Sequence, residues 1–129
     1  AGVKGACPVT PDTQVALSSP GRTIEGLLRA GQASDTEWGP KTALNLPALV
    51  TTVGEMAQAL EKVAGKAATD LIDWTPDENI RRIVKSWPGR VESARARALG
   101  LKSDPDFETI IRDYIRENPQ AIKIALPKG

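Results

Sequence analysis

The 129-residue sequence contains no histidine and only one cysteine, Cys7. The lack of histidine excludes a catalytic arrangement in which an imidazole acts as the base, and with one cysteine it also excludes a Cys/His zinc site. A single cysteine cannot form an internal disulfide, and free thiols are typical of proteins in a reducing compartment. We therefore predict a cytoplasmic protein without a metal site.

Long apolar runs and an excess of one charge are also missing. No run approaches the roughly 18 to 20 residues that a membrane span needs. The chain has 17 Lys and Arg against 16 Asp and Glu, and these charges are scattered along the sequence. Scattered charge provides no basic patch for nucleic acid or for an anionic membrane surface. Neither nucleic acid nor a membrane is an expected partner.

Local patterns predict three short strands, at 14–18, 42–47 and 71–74, and about five helices. The helices are expected at 20–31, 53–64, 76–87, 92–99 and 105–117. The second helix has the strongest signal, because Thr52 and Glu55 match a capping box in which each side chain accepts from the other residue's N–H. The last helix is predicted to begin with Asp104 as N-cap and Pro105 at its first position.

The remaining segments complete the predicted fold. Residues 1–12 are expected to be an extended lead-in and residues 32–41 an exposed loop. The order of elements predicts an α/β or α+β fold, a small mixed lobe with one modest core over residues 1–120. Residues 121–129 are interpreted as an edge strand or a loose tail.

Several short segments occur in a familiar order and spacing. They are Cys7-Pro8-Val9, Ser19-Pro20, Leu44-Asn45-Leu46-Pro47, Val53-Gly54-Glu55-Met56 and Ser86-Trp87-Pro88-Gly89, followed by Ala94-Arg95-Ala96-Arg97-Ala98-Leu99-Gly100. Together they resemble the C-terminal part of the extended short-chain dehydrogenase/reductases. More narrowly, they resemble the D-erythronate dehydrogenase branch, whose members are often described as nucleoside-diphosphate-sugar epimerases or NAD-dependent epimerase/dehydratases.

The resemblance implies the smaller, substrate-binding lobe of a Rossmann-type enzyme. NAD or NADP would be held by an N-terminal Rossmann domain that is missing from this chain, and a Tyr-x-x-x-Lys pair would move the proton. Tyr114, the only tyrosine, is followed four residues later by Asn118, and we predict that it packs in the core. The segment Gly2-x-x-Gly5-x-x-Pro8 lacks a preceding strand and the third glycine of a phosphate loop. The chain alone is expected to bind no cofactor and to contain no catalytic residue.

Trp87 and Arg90 are the first candidates for substrate binding. The resemblance implies a substrate-contacting loop at their position. Arg90 offers a fork of donors to a carboxylate or phosphate, and Trp87 offers a flat face to a sugar chain. The alternative is that Trp87 completes an apolar core stripe with Ile80, Ile83 and Val84, while Arg90 is solvated.

Ser19, Arg22 and Arg95 are further candidates. Ser19 and Arg22 surround a predicted helix N-terminus, where free N–H groups and the helix dipole favour an anion. Arg95 lies near the loop that contains Arg90. Each residue also has an ordinary explanation, as a capping serine or an arginine exposed to solvent. A carboxylate pair formed by Asp73 and Asp77 is less favoured than an outward strand position and a helix cap.

The leading hypothesis is the C-terminal substrate-binding portion of an NAD-dependent oxidoreductase or epimerase that acts on a small sugar acid or a nucleotide sugar. The family branch alone favours an erythronate-like substrate. The alternative is a stand-alone, non-catalytic binding or interaction domain derived from the same lobe. An isolated lobe would expose the apolar face that normally meets the cofactor domain, so a homo-oligomer is a further expected partner.

Overall fold

The computed structural model describes residues 2–41 and 43–127. These residues form seven α-helices and four short strands. In chain order the elements are β1 (Gly5–Cys7), β2 (Gln14–Leu17), α1 (Pro20–Gln32), α2 (Asp35–Trp38), β3 (Leu49–Thr52), α3 (Val53–Ala64), α4 (Lys66–Thr69), β4 (Ile72–Trp74), α5 (Glu78–Lys85), α6 (Ala94–Ala98) and α7 (Phe107–Glu117). The five predicted helices and the mixed α/β fold are confirmed, and α2 and α4 are four-residue additions.

The strands form two separate two-stranded sheets. β1 pairs in parallel with β4, and Cys7 lies opposite Trp74. β2 pairs with β3 in antiparallel orientation, and Gln14 lies opposite Thr52. The predicted lead-in therefore contains a strand, β1, that the local pattern did not show. Each sheet joins segments that are distant in sequence, so the two sheets fix how the helices between them are placed.

The strand predicted at 42–47 is wrong. Residues 43–48 have no regular secondary structure, the strand that pairs with β2 is β3, and Thr42 lies outside the described residues. Leu46 packs instead on Gly26 of α1, where an added Cβ atom would lie 2.7 Å from Leu46 Cδ2. Pro47 is buried and has no N–H to donate to a strand ladder. Leu46 therefore contacts a helix rather than a sheet face.

The capping box of α3 is present as predicted. Thr52 Oγ1 accepts a hydrogen bond from the Glu55 N–H at 3.2 Å, and Glu55 Oε2 accepts one from the Thr52 N–H at 2.8 Å. The helix ends before Gly65, whose φ of +80° lies in the region that favours glycine. Both ends of α3 are therefore determined by residues next to it in the sequence.

The N-cap predicted for the last helix is wrong. α7 begins at Phe107, and its N-cap is Asp106, whose carboxylate accepts from the Thr109 N–H at 2.7 Å. Asp104 is buried and accepts from Ser19 twice, from the N–H at 2.8 Å and from the hydroxyl at 2.7 Å. Its carboxylate thus joins the start of α1 to the segment before α7, 85 positions away in sequence.

Residues 32–41 contain a short helix where a loop was predicted. α2 begins with a second capping box, formed by Ser34 and Glu37. Glu37 also forms an ion pair with Arg29 of α1, and Arg29 Nε donates to the Leu99 carbonyl at 3.1 Å. The Ser34 N–H and the Arg29 guanidinium, both donating to the carboxylate, lower the pKa of Glu37 to about 2.

The buried apolar core consists of small and medium side chains. Among the described residues these are Val9, Val63, Ala64, Ala68, Ala96, Leu99 and Leu101, and none of the large side chains is fully buried. The larger apolar residues lie outside this core. On α1, Ile24, Leu27 and Leu28 are 56%, 67% and 63% exposed. The predicted core position of Tyr114 is wrong, because its exposure is 54%.

The end of the described chain forms no strand. A 3-10 turn at Pro119–Ala121 follows α7, and residues 122–127 are irregular. Ile122 and Ile124 line a cavity of about 220 Å³ together with Leu60 of α3 and Ile115 of α7. The edge strand is therefore absent over 122–127, and residues 128–129 lie outside the described part. None of the helices described is long and apolar enough to cross a membrane.

Replacing Asp104 with alanine is expected to destabilise the fold by about 1–3 kcal/mol, because the N–H and hydroxyl of Ser19 lose their acceptor in a buried place. Urea unfolding followed by circular dichroism measures the change. Asp113→Ala is the matched control, since Asp113 only pairs with Arg116 on the surface of α7. Equal unfolding midpoints for the two variants would contradict the structural role of Asp104.

Stability should decrease as the pH falls from 4.5, the ordinary pKa of Glu37, towards its folded value of about 2. In that window the unfolded chain binds the proton more readily than the folded chain, so protonation favours unfolding. Glu37→Gln should remove this part of the pH dependence. The measurement is the thermal midpoint of both proteins at several pH values, and parallel curves would disprove the assignment.

Candidate functional site

An open cleft lies between β2 and the segment that follows α5. Its volume is about 450 Å³. We call it the β2 cleft, and its lining residues are Gln14, Val15, Ala16, Leu17, Val53, Met56, Trp87, Pro88 and Val91. The walls are mostly apolar, and none of these lining residues is charged. A ligand that enters this cleft therefore meets apolar walls, with the Gln14 amide as a polar group.

Three local features of the sequence position the segment after α5, which forms one wall of the β2 cleft. Asp77 starts α5 by accepting from the N–H groups of Asn79 and Ile80 at 2.8 and 3.0 Å. The helix ends at Lys85, shortly before Pro88, which cannot continue it. At Gly89 an added Cβ atom would lie 2.8 Å from Gln14 Oε1. Gly89 therefore lies close to the Gln14 side chain of β2 at the side of the cleft that this segment forms.

Trp87 lies in the wall of the cleft and is 60% exposed. The alternative prediction, in which it completes a core stripe with Ile80, Ile83 and Val84, is wrong. Ile83 is itself 56% exposed, so α5 presents this stripe to solvent among the described elements. The indole of Trp87 is therefore available to contact a ligand in the cleft.

Arg90 lies between Pro88 and Val91, two residues that line the cleft. Its side chain is exposed, and among the residues that the structure describes its guanidinium makes no hydrogen bond or ion pair. An arginine with all its donors free can bind a carboxylate or phosphate with two parallel hydrogen bonds. Trp87 thus lines the β2 cleft, whereas Arg90 does not line it and lies next in sequence to residues that do.

Ser19 and Arg22 lie at the N-terminus of α1, as predicted, but their polar groups have partners. The Ser19 hydroxyl donates to Asp104 and accepts from the Arg22 N–H at 3.2 Å. The Arg22 guanidinium pairs with Glu25 at 2.6 Å, which raises the pKa of the arginine. A carboxylate of the chain itself, that of Asp104, already occupies this helix N-terminus.

Arg95 lies on α6, and its side chain binds three backbone carbonyls. Its guanidinium donates to the carbonyls of Trp38 at 2.6 Å, Lys41 at 2.7 Å and Ala43 at 2.6 Å. These contacts hold the segment between α2 and Leu44 against α6. Sequence reasoning had no signal for them, because main-chain acceptors have no distinctive sequence pattern.

The pairing of β2 with β3 reveals site residues that the sequence analysis missed. Gln14 was interpreted only as the start of a strand, and Val53 and Met56 as parts of an apolar helix stripe. All three line the β2 cleft. The carboxylate pair is not formed as a site, because Asp77 caps α5 and Asp73 is exposed on β4.

The segment Gly2-x-x-Gly5-x-x-Pro8 does not fit the pyrophosphate of a dinucleotide. Gly5 is the first residue of β1, and Pro8 leads into a turn rather than a helix, so Gly2-x-x-Gly5-x-x-Pro8 provides no helix N-terminus for a pyrophosphate. Within residues 2–41 and 43–127, no group of three or more His, Cys, Asp or Glu side chains can hold a metal ion.

The sequence is similar to that of D-erythronate dehydrogenases. The protein of that name from Cupriavidus necator is 35% identical over 116 residues, which are 90% of this chain and 36% of the relative. The protein from Haemophilus influenzae is 34% identical over 114 residues, which are 88% of this chain and 36% of the relative. The chain thus spans about a third of the length of the curated relatives that it matches. No family model matches it.

Solved structures share the fold. A nucleoside-diphosphate-sugar epimerase from Agrobacterium tumefaciens superimposes with a TM-score of 0.87 and 33% identity, over 94% of this chain and 35% of that one. L-threonine 3-dehydrogenase from Trypanosoma brucei gives a TM-score of 0.77 at 19% identity, over 98% of this chain and 38% of that one, which is evidence for the fold alone. The chain is thus homologous to the C-terminal part of these D-erythronate dehydrogenases, and it is similar in sequence and fold to about a third of the nucleoside-diphosphate-sugar epimerase.

Proposed function

We propose that this chain is the C-terminal substrate-binding portion of an NAD-dependent oxidoreductase or epimerase that acts on a small sugar acid of the erythronate type. The observation that carries the proposal is the β2 cleft, which is lined by exposed Trp87 and is followed in the sequence by the exposed Arg90. The similarity to two D-erythronate dehydrogenases supports the same substrate class. A nucleotide sugar is the second candidate, favoured by the likeness to the sugar-nucleotide epimerase.

The charges at the cleft favour the sugar acid. None of the lining residues is charged, and Arg90 is a cation that lies in the sequence between the lining residues Pro88 and Val91. One guanidinium matches one carboxylate, whereas a diphosphate carries more negative charge than a single arginine can neutralise. Trp87 and Met56 would contact the C–H face of the carbon chain, and the Gln14 amide would bond to a hydroxyl group. Ser19, Arg22 and Arg95 would not contact the substrate. They would stabilise the lobe through the partners described above.

The chemical step would take place between this lobe and a second domain that holds the cofactor. Hydride transfer needs NAD or NADP and a proton-transfer group, and we assign both to the part of the enzyme outside this chain. The exposed stripe of Ile24, Leu27 and Leu28 on α1 is a suitable docking face for that part. The cofactor binding would therefore be contributed by the other domain, and this lobe would bind and orient the substrate.

The natural reading frame upstream of residue 1 tests the assignment to a larger enzyme. The proposal requires roughly 150 to 200 further residues that include a glycine-rich turn between a strand and a helix. The longer protein should then reduce NAD or NADP in the presence of erythronate, measured as absorbance at 340 nm. A natural protein without such a domain would support the rival, a stand-alone interaction domain.

Arg90→Ala in the longer enzyme is expected to raise KM for the sugar acid about 10- to 100-fold, because a charge-assisted pair of hydrogen bonds is lost. Arg90→Lys should have an intermediate effect, since an ammonium group keeps the charge but not the fork of donors. Steady-state kinetics measure both variants. Arg97→Ala, an exposed arginine on α6 with no neighbour in sequence that lines the cleft, is the control, and equal KM values for Arg90→Ala and Arg97→Ala would refute the carboxylate site.

A further inference from the structure

A second concave surface, which we call the α3–α7 groove, lies between α3 and α7. Its volume is about 430 Å³. Its floor consists of Cys7 of β1 with Ile72 and Trp74 of β4, and Phe107 and Tyr114 of α7 form one side. Nearly every side chain that lines it is apolar, so water in this groove makes few hydrogen bonds with its walls.

The floor of the groove is one face of a parallel sheet. Cys7 and Trp74 are partners in the register of β1 and β4, and Ile72 lies two residues before Trp74, on the same face. Parallel strands are almost always covered on both faces by other elements. Here Trp74 is 38% exposed and Tyr114 is 54% exposed. The described elements therefore leave this sheet face partly uncovered.

The beginning of the described chain lies beside the groove. Gly2 and Val3 line the neighbouring cavity, which shares Leu60, Ile111 and Tyr114 with the groove. Val3 is 71% exposed, and β1 then follows within two residues. In a longer protein, residues that precede this chain would reach the groove without a long connection.

Resting on the proposed function, in which this chain is one part of a longer enzyme, we propose that an amphipathic helix directly preceding residue 1 fills the α3–α7 groove. A helix can cover this sheet face with all its own backbone groups bonded, and Gly2 and Val3 place the preceding residues beside the groove. Its apolar stripe would cover Trp74 and Tyr114. Because Met56 lines both the groove and the β2 cleft, this helix would also support the wall of the substrate site.

Cys7, the only cysteine of the chain, reports whether the groove is filled. N-ethylmaleimide is added to the 129-residue chain and to the longer natural protein, and modification of the Cys7 peptide is followed by mass spectrometry. The expected result is at least a tenfold slower modification in the longer protein. Equal rates would overturn the proposal, and so would protection of Cys7 in the short chain that increases with protein concentration, since a second copy would then be the occupant.

Tyr114→Glu provides an independent test. The side chain is half exposed in the short chain, so a carboxylate there should leave the thermal midpoint of the 129-residue protein unchanged. In the longer protein it would lie under the helix without a partner, and the midpoint should fall by several degrees. Gln58→Glu, on an exposed position of α3 that does not line the groove, is the matched control and should change neither midpoint.

The two proposals fail in different ways. A longer protein that oxidises erythronate while Cys7 reacts as in the short chain would leave the proposed function intact and disprove the helix in the groove. A longer protein in which Cys7 is protected, without activity on any sugar acid or nucleotide sugar, would retain the helix and disprove the function.

Discussion

The need to bury apolar surface is the constraint on which the interpretation of this chain depends. Its buried core is built from residues no larger than leucine, while Ile24, Leu27 and Leu28 on α1 and Tyr114 on α7 remain half exposed or more. Single exposed apolar side chains are ordinary, but stripes on whole helix faces mark surfaces that meet another partner. The same constraint therefore underlies both the docking face on α1 and the open groove beside the parallel sheet.

Within the lobe, buried and partly buried polar contacts hold the irregular segments in place. Asp104 binds both polar groups of Ser19, Arg95 binds three carbonyls, and Arg29 joins α1 to the end of α6. Leaving such groups without partners would be costly, which makes these contacts decisive for the shape of a lobe with a small core. They also use up the donors of arginines that could otherwise bind an anion. Arg90 is thereby distinguished from Arg22 and Arg95, whose guanidinium groups have partners within the lobe.

Under the proposed function, substrate recognition and hydride chemistry are divided between two parts of one enzyme. The lobe would contribute an apolar wall, an indole face and one cation, which suit a small hydroxylated carboxylate. Its relatives are about three times as long, and their additional length leaves room for a cofactor domain. Closing a substrate cleft between two domains also excludes water from the reacting atoms, which strengthens the electrostatic contacts made there.

The sequence alone determined the elements whose signals are local. The capping box at Thr52, the stop at Gly65 and the helix before Pro88 depend on backbone groups a few residues apart, and these elements formed as predicted. The order of short segments also predicted the similarity to D-erythronate dehydrogenases. The cleft could be anticipated at Trp87, but not at Gln14 or Met56, which reach it only through the pairing of β2 with β3.

Tertiary structure decided everything that depends on partners distant in sequence. Asp104 and Asp106 are equally good caps by sequence, and only the position of Ser19 decides that Asp104 is buried beside α1 while Asp106 caps α7. The apolar pattern of Leu44 and Leu46 fits a strand, yet Leu46 packs on a glycine of α1. Tyr114 has the spacing of a core residue, and it is exposed because no described element covers that side of α7. Periodicity specifies which face of an element is apolar, but only the fold specifies what that face meets.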